Sequence, residues 1–173
     1  MFLEFPGDRT THHLDRQYML GPSLLVAPVL NSQEEETEYY IPAGRWTYLW
    51  TNGTRTVDGP IWIKERVALD DIPIWVRPGS ILCLGPEGTG RPDYDYAEST
   101  RVHVYGLLDG QVVKTDIPPQ YGTTSVATIQ AERKGECVTV KIVGECKTSS
   151  VTVLDKRKNV TLHNTEKEVH IDL

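Results

Sequence analysis

The sequence predicts a mainly β protein made of two consecutive antiparallel β-sandwich domains, and three observations carry that reading. Short β-branched or aromatic runs recur along the 173 residues with turn residues between them. Trp46, Tyr48 and Trp50 stand at i, i+2 and i+4, the spacing that sends alternate side chains of a strand to one face, and Asn52-Gly53 follows at once with the φ > 0 preference of a hairpin turn. Residues 85–92 then hold three glycines and two prolines in eight positions, a composition that interrupts any ladder and divides the chain.

Taken in order, residues 1–23 differ from the rest. Met1-Phe2-Leu3-Glu4-Phe5 is an apolar run that stops at Pro6-Gly7-Asp8, and a brief helix is expected over 14–19, with Asp15 near its start and Gly21-Pro22 ending it. A proximal domain over 24–90 follows. Its expected strands are 24–30, 38–41, 45–50, 61–67, 72–76 and 81–84, with an acidic loop over 31–36. Ile61-Trp62-Ile63 serves as the return strand of the hairpin. Pro73 and Pro78 suit strands near a sheet edge. A distal domain over 91–173 contains strands at 101–105, 126–130, 137–143, 150–154, 160–163 and 169–173, with Asp109-Gly110 as a hairpin signal. Val138, Val140 and Ile142 share one face of theirs and Thr139 and Lys141 the other, the mark of a half-buried strand.

Composition excludes several classes. Hydrophobic residues at 39% and charged residues at 24% describe a soluble globular chain. The net charge of -6 is local: residues 1–97 hold 8 basic and 14 acidic side chains, residues 98–173 ten of each. No basic face is available, so nucleic acid is not an expected partner. No run reaches membrane-spanning length and no secretory leader is visible, so a cytoplasmic or intracellular location without membrane attachment is expected. Cys83, Cys137 and Cys146 are too few for a disulfide framework or a metal site; a Cys137–Cys146 bridge across a hairpin is thinkable, and small half-buried thiols are the simpler reading. Asn52-Gly53-Thr54 and Asn159-Val160-Thr161 match a glycosylation sequon but read more simply as turn residues.

Four motifs in one order carry a family resemblance: Leu14-Asp15-Arg16-Gln17-Tyr18-Met19-Leu20-Gly21, Leu24-Leu25-Val26-Ala27-Pro28-Val29, Tyr40-Ile41-Pro42-Ala43-Gly44-Arg45-Trp46, and Trp75-Val76-Arg77-Pro78-Gly79-Ser80. Together they resemble the C-terminal third of glycoside hydrolase family 31, and Arg91-Pro92-Asp93-Tyr94 with Val102-His103-Val104-Tyr105 is most similar to its α-xylosidases. The resemblance covers about residues 2–154. It implies that residues 1–23 are a remnant of the last strand and helix of a catalytic (β/α)₈ barrel. It also implies a parent reaction, retaining hydrolysis of terminal α-linked xylose or glucose, without metal or organic cofactor. That chemistry takes two carboxyl groups about 5–5.5 Å apart. In the family both lie on barrel strands upstream of the matched segment, and the barrel takes ~250 residues. No position here corresponds to either, so the resemblance assigns this chain no catalytic, cofactor-binding or metal residue. The expected partners are a barrel, in cis or in trans, and the parent enzyme's α-linked oligosaccharide; a homo-oligomer is left open.

The remaining constellations each have a plain reading. Asp70-Asp71 would point to opposite faces of a strand and suit a turn better. Asp93, Tyr94, Asp95, Tyr96 and Glu98 could contact sugar or form a polar connection; Glu34-Glu35-Glu36 and Lys156-Arg157-Lys158 read as solvated segments. His12-His13 diverge and have no third ligand nearby, so they read as loop histidines. The tryptophans pose the sharpest alternative. Trp46, Trp50, Trp62 and Trp75 pack a sandwich core, or a surface row of them, tested first at Trp46 and Trp50, makes a non-catalytic carbohydrate-binding module. A third possibility is a chain whose exposed barrel flank leaves a large apolar patch.

Overall fold

The computed structural model describes residues 1–30, 36–68, 70–86, 88, 94–119, 124–155, 159–163 and 167–173. The expected mainly β architecture is present: thirteen strands and two short 3₁₀ turns make up the regular structure of the described residues, which divide into compact units Met1–Pro78 and Gly79–Leu173. No described helix is long and apolar enough to cross a membrane. The expectations for residues 31–35, 91–93 and 156–158 lie outside the described residues.

The first unit is one antiparallel sheet of five strands, β1 (Tyr18–Leu20), β2 (Leu24–Val26), β3 (Thr37–Tyr48), β4 (Thr56–Glu65) and β5 (Ile74–Val76), in the order β1-β2-β5-β3-β4. The expected strands 38–41 and 45–50 are a single long strand. Pro42-Ala43-Gly44 reads as a break, but the chain crosses it as a bulge: register shifts between Ile41, opposite Ile61, and Gly44, opposite Gly59. Gly44 takes a φ of 120° there, which a side chain would resist. The extra residue rotates the strand, so Tyr39 and Ile41 before it and Trp46 and Tyr48 after it enter one core with Leu25 and Trp75. The hairpin signal holds, with Asn52 in the left-handed region at φ 46° after the 3₁₀ turn Leu49–Thr51.

Residues 1–17 contain no barrel-like strand and no α-helix. Met1 to Phe5 is a series of turns; Phe5 packs on Trp46 with ring centroids 6.1 Å apart. Asp8 caps the 3₁₀ turn Arg9–His13 by accepting from the Thr10 amide at 3.0 Å. The helix expected over 14–19 is absent because Gln17 satisfies a β-strand instead. Its Nε2 donates to the Tyr40 carbonyl at 2.7 Å and its Oε1 accepts from the Tyr40 amide at 2.8 Å. That pair of bonds does for Tyr40 what a neighbouring strand would do, and it holds the segment extended.

The second unit is a sandwich. One sheet contains β6 (Ser80–Leu84), β7 (Thr100–Tyr105), β11 (Thr148–Leu154) and β12 (Asn159–His163) in the order β12-β11-β7-β6; the other contains β8 (Val112–Ile117), β9 (Ala127–Lys134), β10 (Cys137–Gly144) and β13 (Glu168–Asp172) in the order β13-β10-β9-β8. Val102, Val104, Val151 and Val153 meet Ile129, Val138, Val140 and Ile171 between the sheets. The Val138, Val140, Ile142 face points inward as its alternation requires. β7 and β11 run parallel, so this sheet is mixed. β6 pairs with β7, which puts residues 80–84 in the second unit, although they precede the Gly/Pro-rich stretch. Asp109-Gly110 does form a turn, but β7 and β8 on either side of it belong to different sheets, so the turn is a crossover and not a hairpin. Cys83, Cys137 and Cys146 are free thiols.

Candidate functional site

The tryptophans divide into two kinds. Trp46 and Trp75 are 0% and 1% exposed, whereas Trp50 and Trp62 are 60% and 49% exposed. The buried pair is fully engaged in structure. Trp46 Nε1 donates to the Pro42 carbonyl at 2.9 Å, inside the bulge. Trp75 Nε1 donates to Tyr39 Oη at 3.2 Å, and Tyr39 donates in turn to Glu65. The other Glu65 oxygen takes Arg55, whose guanidinium lies 4.5 Å from the Tyr48 ring centre and 5.0 Å from that of Trp75. Tyr48 donates to Asp71 at 2.7 Å. Burial first and the adjoining carboxylates second raise both phenols above the usual tyrosine range. Asp71 therefore anchors the core, as a turn residue beside Ile72-Pro73.

A row of surface indoles is not built. Trp46, an expected member of that row, is inaccessible. Trp50 lies past the turn end of β3, while Trp62 pairs with Tyr40, roughly 20 Å away along the strand at about 3.3 Å per residue. What Trp62 does border is a cleft of about 350 Å³ in the first unit, lined also by His13, Asp15, Arg16, Glu38 and Lys64. Gln17 fixes one wall through Tyr40; the β3–β4 register fixes the other by setting Glu38 opposite Lys64 and Tyr40 opposite Trp62. Tyr40 is buried beneath Trp62, with ring centroids 5.4 Å apart at 53°, and its hydroxyl donates to Asp8 at 2.7 Å. Lys64 pairs with Glu36 at 3.1 Å.

The histidines diverge as adjacent residues do. His12 Nε2 lies 3.3 Å from the Pro6 carbonyl, while His13 lines the cleft. Among the described residues no group of three His, Cys, Asp or Glu side chains is placed to hold a metal. Tyr94 and Tyr96 pack edge to face at 5.0 Å, and Asp95 accepts from the Ala97 amide, so that stretch is tied up locally. The cleft escaped the sequence reading because its walls come from three separated segments. The cross-strand partners Tyr40–Trp62 and Glu38–Lys64 could not be counted out from Asn52-Gly53 either: a two-residue turn there sets Tyr40 opposite Glu65, and the longer loop together with the bulge moves the pairing by three residues.

Comparison with known proteins gives a consistent result. Residues 1–82 match the family described as Glycosyl hydrolase family 31 C-terminal domain, and residues 95–173 the one described as Alpha-xylosidase YicI, C-terminal domain. The chain is 28% identical to the alpha-xylosidase XylQ of Lactiplantibacillus pentosus, over 100% of this chain and 22% of that protein. It is 33% identical to an alpha-xylosidase of Emericella nidulans, over 69% of this chain and 16% of that protein. The fold matches the GH31 alpha-xylosidase of Xanthomonas citri with a TM-score of 0.70 at 21% identity, over 100% of this chain and 21% of that one. The chain thus spans less than a quarter of the length of these relatives.

Proposed function

The chain belongs to the C-terminal region of glycoside hydrolase family 31, and from that premise we propose that it is the β-domain pair that braces a catalytic (β/α)₈ barrel without supplying the reacting groups. The observation that carries this reading is coverage: the two C-terminal family regions fall on the two halves of this chain, and XylQ extends well beyond the 22% that is matched. Retaining hydrolysis takes two carboxyl groups about 5–5.5 Å apart, which barrel strands of the parent enzyme would bring. The parent reaction in this reading is hydrolysis of terminal α-linked xylose or glucose, with no metal or organic cofactor, and the barrel joins this chain in cis or in trans. Alone, the chain turns over nothing.

The experiment assays the purified chain on 4-nitrophenyl α-xyloside and α-glucoside, alone and after mixing with a family 31 α-xylosidase truncated ahead of the matched region. No nitrophenol from the chain alone, with activity or thermal stability recovered on mixing, is the expected result. Nitrophenol released by the chain alone, and abolished by Asp71→Asn or Glu38→Gln, overturns the reading. A second reading, a non-catalytic carbohydrate-binding module, draws on one observation: Trp62 stands half-exposed at a polar cleft.

A further inference from the structure

We propose that the cleft beside Trp62 binds a neutral pyranose oligosaccharide, one ring of which stacks on the Trp62 indole. The axial C–H groups of a pyranose give it an apolar face, and a half-exposed indole offers a flat apolar partner whose alternative is water. The indole is held ready for that contact. Tyr40 backs it, and Tyr40 is pinned by its hydroxyl to Asp8 and by both backbone polar groups to Gln17. Little ordering is left for the ligand to impose.

The rim supplies the hydroxyl partners. A sugar hydroxyl donates one hydrogen bond and accepts others; the carboxylates of Asp15 and Glu38 accept, and Arg16 and Lys64 donate. Charge selects the ligand class. Three carboxylates, Asp15, Glu36 and Glu38, line the cleft against two permanent cations, Arg16 and Lys64, and Lys64 is already shared with Glu36. No positive excess is left for a phosphate or a uronic acid, whereas a neutral polyol meets no penalty. The volume, about 350 Å³, sits at the small end of ligand clefts, which run from about 300 to 1,000 Å³, and suits a short stretch of sugar rings. The inference rests on the family reading only for the choice of α-linked probes.

The test titrates the ¹⁵N-labelled 173-residue chain, carrying Leu3→Asp and Leu20→Asp at exposed apolar positions outside the cleft to keep it monomeric, with maltotetraose, with isomaltotriose and with a xyloglucan heptasaccharide, following amide and indole N–H resonances. With at least one of them the Trp62 indole and the Glu38 and Lys64 amides are expected to shift saturably, in the millimolar range, while the Trp46, Trp50 and Trp75 indoles stay still. The sugar that saturates lowest identifies the source. Trp62→Ala is expected to abolish the shifts. Lys64→Ala, at a side chain 62% exposed and without risk to the core, weakens binding severalfold, and Trp50→Ala changes nothing. Flat titrations with all three sugars, shifts that survive Trp62→Ala, or stronger shifts with glucose 1-phosphate than with any neutral sugar overturn the proposal. A flat titration leaves the bracing reading untouched, because that is judged by recovery with the barrel.

Discussion

Arg133 and Asp155 form an ion pair whose side chains are 13% and 6% exposed, with Nη1 2.6 Å from Oδ2. The same guanidinium donates to the carbonyls of Leu107 at 2.9 Å and Gly135 at 3.0 Å. A charge this deep is tolerated only while its partner remains, so Asp155→Ala is expected to cost about 3 kcal/mol in urea denaturation. A loss within the range of an exposed pair, under about 1 kcal/mol, contradicts that. A second prediction concerns pH. Tyr105 is 1% exposed, and burial pushes its phenol up to about 12; Tyr39 and Tyr48 move the same way. Unfolded tyrosines ionise near about pH 10. Between that pH and about 12 the unfolded chain releases protons that the folded chain keeps, so stability is complete below pH ~10 and falls as pH rises. Tyr105→Phe is expected to make the fall shallower by roughly 2 kcal/mol over that window. Urea midpoints at about pH 9 and about pH 11, in both proteins, read about 1.3 kcal/mol of that difference; equal slopes refute the assignment.

Among the elements, the bulge in β3 does the most to shape the first unit, and Gly59 permits it. A Cβ built at Gly59 would lie 2.0 Å from the Pro42 carbonyl oxygen and 2.8 Å from that of Ile41. Those oxygens cannot yield without undoing the register shift that brings Trp46 and Tyr48 into the core. Gly59→Ala is therefore expected to destabilise by roughly 2–3 kcal/mol, while Gly7→Ala, with nothing within 4 Å of the added carbon, stays within about 0.5 kcal/mol; thermal melts compare them. The same bulge shows what a sequence does not display. β10 was readable because Val138, Val140 and Ile142 alternate cleanly. β8 was not, since Val112 and Val113 are adjacent and only Ile117 is fully buried. Pro42-Ala43-Gly44 and Asp109-Gly110 both announce a change of direction, but neither says which strand receives the chain afterwards, which is a tertiary matter. Gln17 standing in for a strand partner has no local signature at all. The buried half of the aromatic set was legible from its alternation, yet Trp50 left the strand one turn early and Trp62 surfaced. The candidate site, assembled across three segments, was the part least visible beforehand.

At the scale of the whole chain, the two units differ in what they leave exposed. Among the described residues the first unit leaves nine large apolar side chains exposed, led by Leu3 at 81% and Leu30 at 66%, against four in the longer second unit. Tyr18 and Leu20, both exposed, share one face of β1. A contiguous apolar face on a soluble monomer is rare unless something covers it, and in the bracing reading the cover for the Tyr18–Leu20 face is the barrel. The isolated chain is thus expected to bind an anilinonaphthalene dye and to self-associate at micromolar concentrations. Leu3→Asp with Leu20→Asp is expected to suppress both, and mixing with a barrel fragment to quench the dye signal. Val143→Asp, at a side chain equally open (64%) but on the second unit, changes neither. Sedimentation velocity and dye fluorescence on the three proteins separate the outcomes. A wild-type chain that sediments as a monomer without binding dye has no uncovered face, and its exposed apolar side chains then give no support to a barrel partner.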